Sequence, residues 1–167
     1  MKKLFALFFA AVLSLSTIAF AGVEITKVDK AKPTDEMFMD MAVVAAKKSV
    51  AAKGIPAGAV IILNGAWRAT GLPSGTKSPE EDAFSKARRQ TLKNATVYTV
   101  NEPTTETINF LNSLGVEAVY FVNPRDAVIA AGIYPAEAYN DEALDASLPQ
   151  APIICMPYAD ATALIKK

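Results

Sequence analysis

Thr96-Val97-Tyr98-Thr99-Val100-Asn101-Glu102-Pro103-Thr104-Thr105-Glu106-Thr107 is the stretch on which the fold turns. Thr96 to Val100 is β-branched and aromatic, the composition of a strand. Glu102-Pro103 ends it, and a helix is expected from Pro103 to Leu114, stopped by Gly115. Thr104 and Thr107 lie three residues apart in the first helical turn. Hydroxyls there accept backbone N–H groups that the helix leaves unpaired, so capping is their first expected role.

Upstream, Ala57-Gly58-Ala59-Val60-Ile61-Ile62-Leu63 is a near-continuous apolar run, the pattern of a strand buried on both faces. Asn64-Gly65 is a hairpin turn, and Ala66 to Thr70 should return antiparallel. After a Gly/Pro/Ser loop, Ser78-Pro79-Glu80-Glu81 starts a helix, with serine as cap and acids in the first turn. Pro33-Thr34-Asp35-Glu36 is a similar start, with Thr34 as expected cap and the helix running to Gly54. Downstream, Glu117 to Val122 is a strand and Asn123 to Asp126 caps a short helix. Pro135 to Leu148 is weakly helical with loops. Pro152 to Met156 is a possible last strand and Tyr158 to Lys167 a closing helix. An opening hairpin followed by alternating strands and helices predicts an α/β fold: three layers, α-β-α, around a mixed β-sheet.

The N-terminus has a separate meaning. Met1-Lys2-Lys3 is basic, Leu4 to Phe20 is apolar or small, and Ala19-Phe20-Ala21 places small residues at −3 and −1 of a cleavage site. This is the layout of a secretory signal peptide, so residues 1–21 are assigned to it and a periplasmic or secreted location is expected, with no stable membrane anchor after cleavage. Residues 22–36 are a leader and residues 37–167 one domain. Removing two lysines from the seventeen basic residues leaves fifteen against seventeen acids. Such a balance gives no electrostatic footprint for nucleic acid. With one cysteine, Cys155, no intrachain disulfide can form. The chain has no histidine, which removes the usual general base and the commonest zinc ligand together.

The order helix, hairpin, helix, strand, helix, strand resembles the cytidine and nucleobase deaminase superfamily over about Met37 to Val122. Pro56-Ala57-Gly58-Ala59-Val60-Ile61-Ile62 is similar to that family's first strand and Asn64-Gly65 to its hairpin. Glu102-Pro103 is similar to the start of its Glu-Pro-Cys-x-x-Cys motif, and Ser113-Leu114-Gly115-Val116 to the approach to its next strand. The resemblance implies a zinc site between two helix starts, with cysteines where this chain has Thr104 and Thr107. The family's His-Ala-Glu falls on Asp82-Ala83-Phe84, or, one residue earlier, on Glu81-Asp82-Ala83. Neither register supplies both histidine and the proton-shuttling glutamate, and the substrate-reading asparagine falls near Pro73. The resemblance therefore implies a degenerate site of Asp82, Phe84, Glu102, Pro103, Thr104 and Thr107, with no catalytic residue, no metal and no cofactor. It also implies a possible homodimer.

Two function classes follow. One is a secreted, catalytically inactive deaminase-fold protein that binds a small ligand or a protein. The other is a deaminase-type hydrolase with an atypical site. Asp82, Thr104 and Thr107 are oxygen donors suited to hard cations, but they carry one charge among them. Two helix N-termini at one cleft favour an anion, which Glu102 and Glu106 would weaken. The basic stretch Lys86, Arg88, Arg89 and Lys93 reads as a solvated helix face. Trp67 is balanced between core and pocket. Met37, Met39 and Met41 read as gap-fillers, and Cys155, between Ile154 and Met156, as a buried inert thiol.

Overall fold

The computed structural model describes residues 23–166. The expected signal peptide, residues 1–21, lies outside that range. Six strands form one sheet: β1 (Ile25–Lys27), β2 (Ala59–Leu63), β3 (Ala66–Gly71), β4 (Ala95–Thr99), β5 (Ala118–Phe121) and β6 (Ile153–Cys155). Their spatial order is β1-β6-β5-β4-β2-β3. The pairs β2–β3 and β2–β4 are antiparallel, while β4–β5, β5–β6 and β1–β6 are parallel, so the sheet is mixed. Asn64 and Gly65 both have positive φ, as the type I′ turn of a two-residue hairpin requires.

The helices are α1 (Pro33–Ala51), α2 (Pro79–Ala87), α3 (Thr105–Ser113), α4 (Arg125–Ala130) and α5 (Ala159–Ala163). Strand alternation divides the core in two. Val60, Ile62, Tyr98 and Val100 pack with Met39, Val43 and Ala46 of α1 and Ala161 of α5. Ile61, Val97, Val119 and Phe121 pack on the opposite face with Ala83 of α2 and Leu111 of α3. The architecture is thus three-layered, with α2 and α3 side by side on one face.

Several details differ from the sequence reading. Residues 25–27, read as leader, form an edge strand registered on Ile153–Cys155. Three residues with a half-exposed pattern leave too little alternation to read. Thr34 is not the cap of α1: the helix begins at Pro33 after Lys32, without a side-chain cap bond. Proline's fixed φ suits the first helical position, so it sets the boundary. Trp67 is 52 % exposed and enters neither core nor cleft. Cys155 is only half-buried, though burial raises its thiol pKa.

Candidate functional site

The site is built from two helix starts. Ser78 caps α2: its Oγ accepts the Glu81 N–H at 3.2 Å, and the Glu81 carboxylate accepts the Ser78 N–H at 2.7 Å. This reciprocal pair is a capping box. Thr104 caps α3, its Oγ1 accepting the Thr107 N–H at 3.3 Å and lying 3.0 Å from the Thr107 hydroxyl. Between these two first turns lies a cavity of about 230 Å³. Lys77, Pro79, Glu81, Thr104, Thr107 and Tyr134 are among the residues that line it.

Of the six residues assigned to the degenerate site, Thr104 and Thr107 line this cavity, and the other four do not. Helix phase explains Phe84. Ser78, Glu81 and Phe84 share one stripe of α2, and Thr104, Thr107 and Phe110 share one stripe of α3. Glu81 meets the threonines at the cavity. Phe84 lies one turn deeper, edge-on to Phe110 with ring centres 5.5 Å apart. Asp82 is rotated toward the loop after β3, where it accepts the Leu72 N–H at 2.9 Å and the Lys86 ammonium. Burial pushes its pKa up, but Lys86 and the Leu72 N–H outweigh that, and the carboxyl sits below its ordinary value. Of the two registers weighed for α2, the one starting at Glu81 places an acid in the cavity.

Glu102 and Pro103 are both buried. Glu102 accepts the Arg125 N–H at 2.8 Å and its Nε–H at 2.6 Å. Arg125 Nη1 donates to both Asp141 carboxylate oxygens at 3.1 Å, and the guanidinium lies 5.3 Å from the Tyr139 ring centre. The Tyr139 hydroxyl donates to the Glu102 carbonyl at 3.0 Å. Glu102 is thus a paired strut that pins residues 139–141 beside the start of α3, and its charge is compensated there rather than offered to the cavity.

Two residues near the cavity were not singled out from sequence. Glu80 is 3 % exposed, its carboxylate accepting the Thr99 hydroxyl of β4. Burial raises its pKa, against the lowering effect of the Thr99 hydroxyl. Tyr134 reaches the cavity from the segment after α4. Its pKa is raised by burial and then by the nearby Glu80 charge. The first-turn position of Glu80 was legible, but its inward orientation was not. Nothing in the local sequence places Tyr134 opposite α2.

The donor set does not fit zinc. The cavity is lined by hydroxyl residues, two of them bonded to each other, by Glu81, whose carboxylate is already held by its own helix, and by Glu106, with no thiol or imidazole among them. The one cysteine is on β6, its thiol directed to the Val122 carbonyl. Among the described residues no three His, Cys, Asp or Glu side chains converge as a metal site.

No protein-family model matches the sequence, and a search of curated proteins finds none either. Solved structures do match. A guanine deaminase from Nitrosomonas europaea aligns with TM-score 0.63 over 87% of each chain, at 18% identity. The fold is cytidine deaminase-like. A guanine deaminase from Bacillus subtilis is 29% identical over 58% of this chain and 69% of its own, with TM-score 0.55. A dCMP deaminase from cyanophage S-TIM5 aligns over 75% of this chain and all of its own at 18% identity, with TM-score 0.51. In this chain α3 follows Glu102-Pro103, with Thr104 as its cap and Thr107 in its first turn.

Proposed function

We propose that the protein is a secreted or periplasmic deaminase-fold binding module without deaminase activity, whose ligand site is the cleft between the first turns of α2 and α3. One observation carries this reading. The two α3 positions that would supply soft ligands in the resemblance are hydroxyls bonded to each other and to their own helix. Hydroxyls replace thiolates poorly on zinc. The cleft retains a cavity of about 230 Å³ with Tyr134 as an aromatic wall, which suits a small ligand or an inserted side chain of a protein partner.

A second reading, a deaminase-type hydrolase with an atypical site, is favoured by Glu80. Glu80 is buried one position from the cavity-lining Pro79 and Glu81, and a buried carboxyl of raised pKa is the kind of group that moves protons in catalysis. One experiment separates the two. The purified protein is incubated with Zn²⁺, its bound metal is measured, and turnover of guanine, cytidine, adenosine and dCMP is assayed. The binding reading expects no stoichiometric zinc and no ammonia release. Stoichiometric zinc with turnover establishes the hydrolase instead.

A further inference from the structure

β3 is the last strand at one side of the sheet, so its outer edge has no partner strand among the described residues. A bulge interrupts it. Ile61 pairs with Ala69 and Ile62 with Trp67, which leaves Arg68 without a partner on β2. Strand alternation alone would put Trp67 and Thr70 on opposite faces. The extra residue brings both onto the α1 face, opposite Ile62 and Val60, as bulges do where they re-aim a side chain. There the Trp67 indole N–H donates to Thr70 Oγ1 at 3.0 Å. The half-exposed ring is thereby held in place, with its one polar atom satisfied.

A depression of about 660 Å³ lies between this edge and α1, lined by Asp40, Met41, Val44, Lys48, Trp67 and Thr70 among others. Asp40, Val44 and Lys48 are exposed and follow one another at intervals of four along one stripe of the helix. Lys48 makes no ion pair among the described residues, and Asp40 uses only one carboxylate oxygen, to accept the Tyr158 hydroxyl. The strand edge supplies a second row of groups. Leu63 and Ala66 flank the two-residue turn as a hydrogen-bonded pair, so at the next pair the N–H and C=O of Trp67 point away from β2. Thr70, beyond the bulge and on the same face, is placed likewise. None of the turn, loop or cap hydrogen bonds among the described residues uses the backbone of either residue.

A strand laid along this edge can pair with Trp67 and Thr70, and its alternate side chains then enter the depression. The spacings agree: four residues of α1 advance about 6 Å, and two residues of a strand advance about 6.6 Å. The direction follows from the chain path. α1 leads by a short connection into β2, and Gly58, just before β2, lies against the backbone of Ala42 and Ala46. α1 and β2 therefore run in opposite directions, and α1 runs with β3. A strand antiparallel to β3 meets Lys48, Val44 and Asp40 in that order, and the side chains complementary to them are acidic, apolar and basic. An anionic membrane surface would take a stripe of basic residues, and this stripe carries both signs.

We propose that the edge of β3, flanked by α1, is a docking site for an extended peptide segment of a partner protein, added antiparallel to β3, whose inward residues read acidic-x-apolar-x-basic. The site is separate from the cleft, because α1 lies across the sheet from α2 and α3.

Trp67 is the only tryptophan of the chain, so its fluorescence reports on this site alone. The probe is the end-capped peptide Thr-Glu-Thr-Val-Thr-Lys-Thr, titrated into the purified protein at low salt. The expected result is a saturable change in tryptophan emission. N-methylation of the peptide's valine, whose N–H faces β3, should weaken binding roughly tenfold. The same group on the threonine before it, whose N–H points away, should change binding by no more than about twofold. Replacing the peptide's lysine by glutamate sets an acid against Asp40 and should weaken binding about fivefold. Lys48→Asp should weaken binding of the original peptide by a similar factor and strengthen that of the peptide with lysine at both charged positions. That gain requires a folded variant, so it excludes a trivial loss of structure. Emission that does not saturate up to the highest soluble peptide concentration overturns the proposal. So do equal losses from the two N-methylated peptides, or a glutamate-for-lysine peptide that binds as tightly as the original.

Discussion

Glu80 is the residue whose environment departs furthest from its sequence context. It occupies the first turn of α2 among acids, where a solvated side chain would complement the helix dipole. Instead it turns inward to Thr99 and is 3 % exposed. Its folded pKa lies above the ordinary 4.5, chiefly through burial. The sign of the linkage follows. The folded state retains a proton that the unfolded chain releases, so this group's stabilisation is complete below about 4.5 and is lost as pH rises through the folded value. Glu80→Gln keeps an acceptor for Thr99 and removes the titration. The variant should be more stable than wild type at neutral pH by about 1 kcal/mol. The difference should shrink toward zero as the solution is acidified below the ordinary carboxylate range. Urea unfolding across that range measures it; a wild type that gains stability relative to the variant as pH rises contradicts the assignment.

The elements were largely legible because each carried consistent local signals. The apolar run read as Ala57 to Leu63 forms a strand over Ala59–Leu63, and the Asn64-Gly65 turn and the Ser78-Pro79 start lie where turn and capping chemistry place them. The elements missed or blurred were those whose signal is tertiary. β1 is three residues long and is a strand only because β6 pairs with it. The site divided in the same way. Thr104 as a cap follows from a hydroxyl before a helix, but the inward turn of Glu80 and the arrival of Tyr134 depend on packing across tens of residues. Packing between elements also explains two glycines. A Cβ on Gly71 at the end of β3 would lie 1.8 Å from the Pro79 carbonyl oxygen and 2.5 Å from the Ala83 nitrogen of α2. One on Gly58 would lie 2.5 Å from Ala46 N and 2.6 Å from Ala42 O of α1. Both contacts are with helix backbone, which a rotamer change cannot relieve. Gly71→Ala and Gly58→Ala should each destabilise by about 3 kcal/mol, the upper range for overpacking, with a lowered urea midpoint.

At the scale of the whole molecule, the fold brings together two helix starts that are 26 positions apart in sequence, Ser78 and Thr104, by laying α2 and α3 on one face of the sheet. This convergence belongs to the scaffold, and the ligand chemistry belongs to the side chains placed on it. The two can therefore be separated by substitution. Thr104→Cys and Thr107→Cys would supply two thiolates in adjacent geometry, since the hydroxyls they replace are 3.0 Å apart. The third ligand decides between registers. Glu81 lines the same cavity, whereas Asp82 is turned to Leu72 and Lys86. Glu81→His added to the two cysteines should bind zinc at least tenfold tighter than Asp82→His added to the same pair, a difference of about 1.4 kcal/mol or more. The gain must exceed the loss of the capping box, which costs about 1 kcal/mol, so the Glu81→His variant should be less stable without zinc and more stable with it. Competition with a chromophoric chelator measures affinity, and thermal unfolding with and without zinc measures the linkage. Tighter binding by the Asp82→His variant would show that the α2 start can rotate by a residue, and the cavity would then have to be redrawn around Asp82 and Phe84.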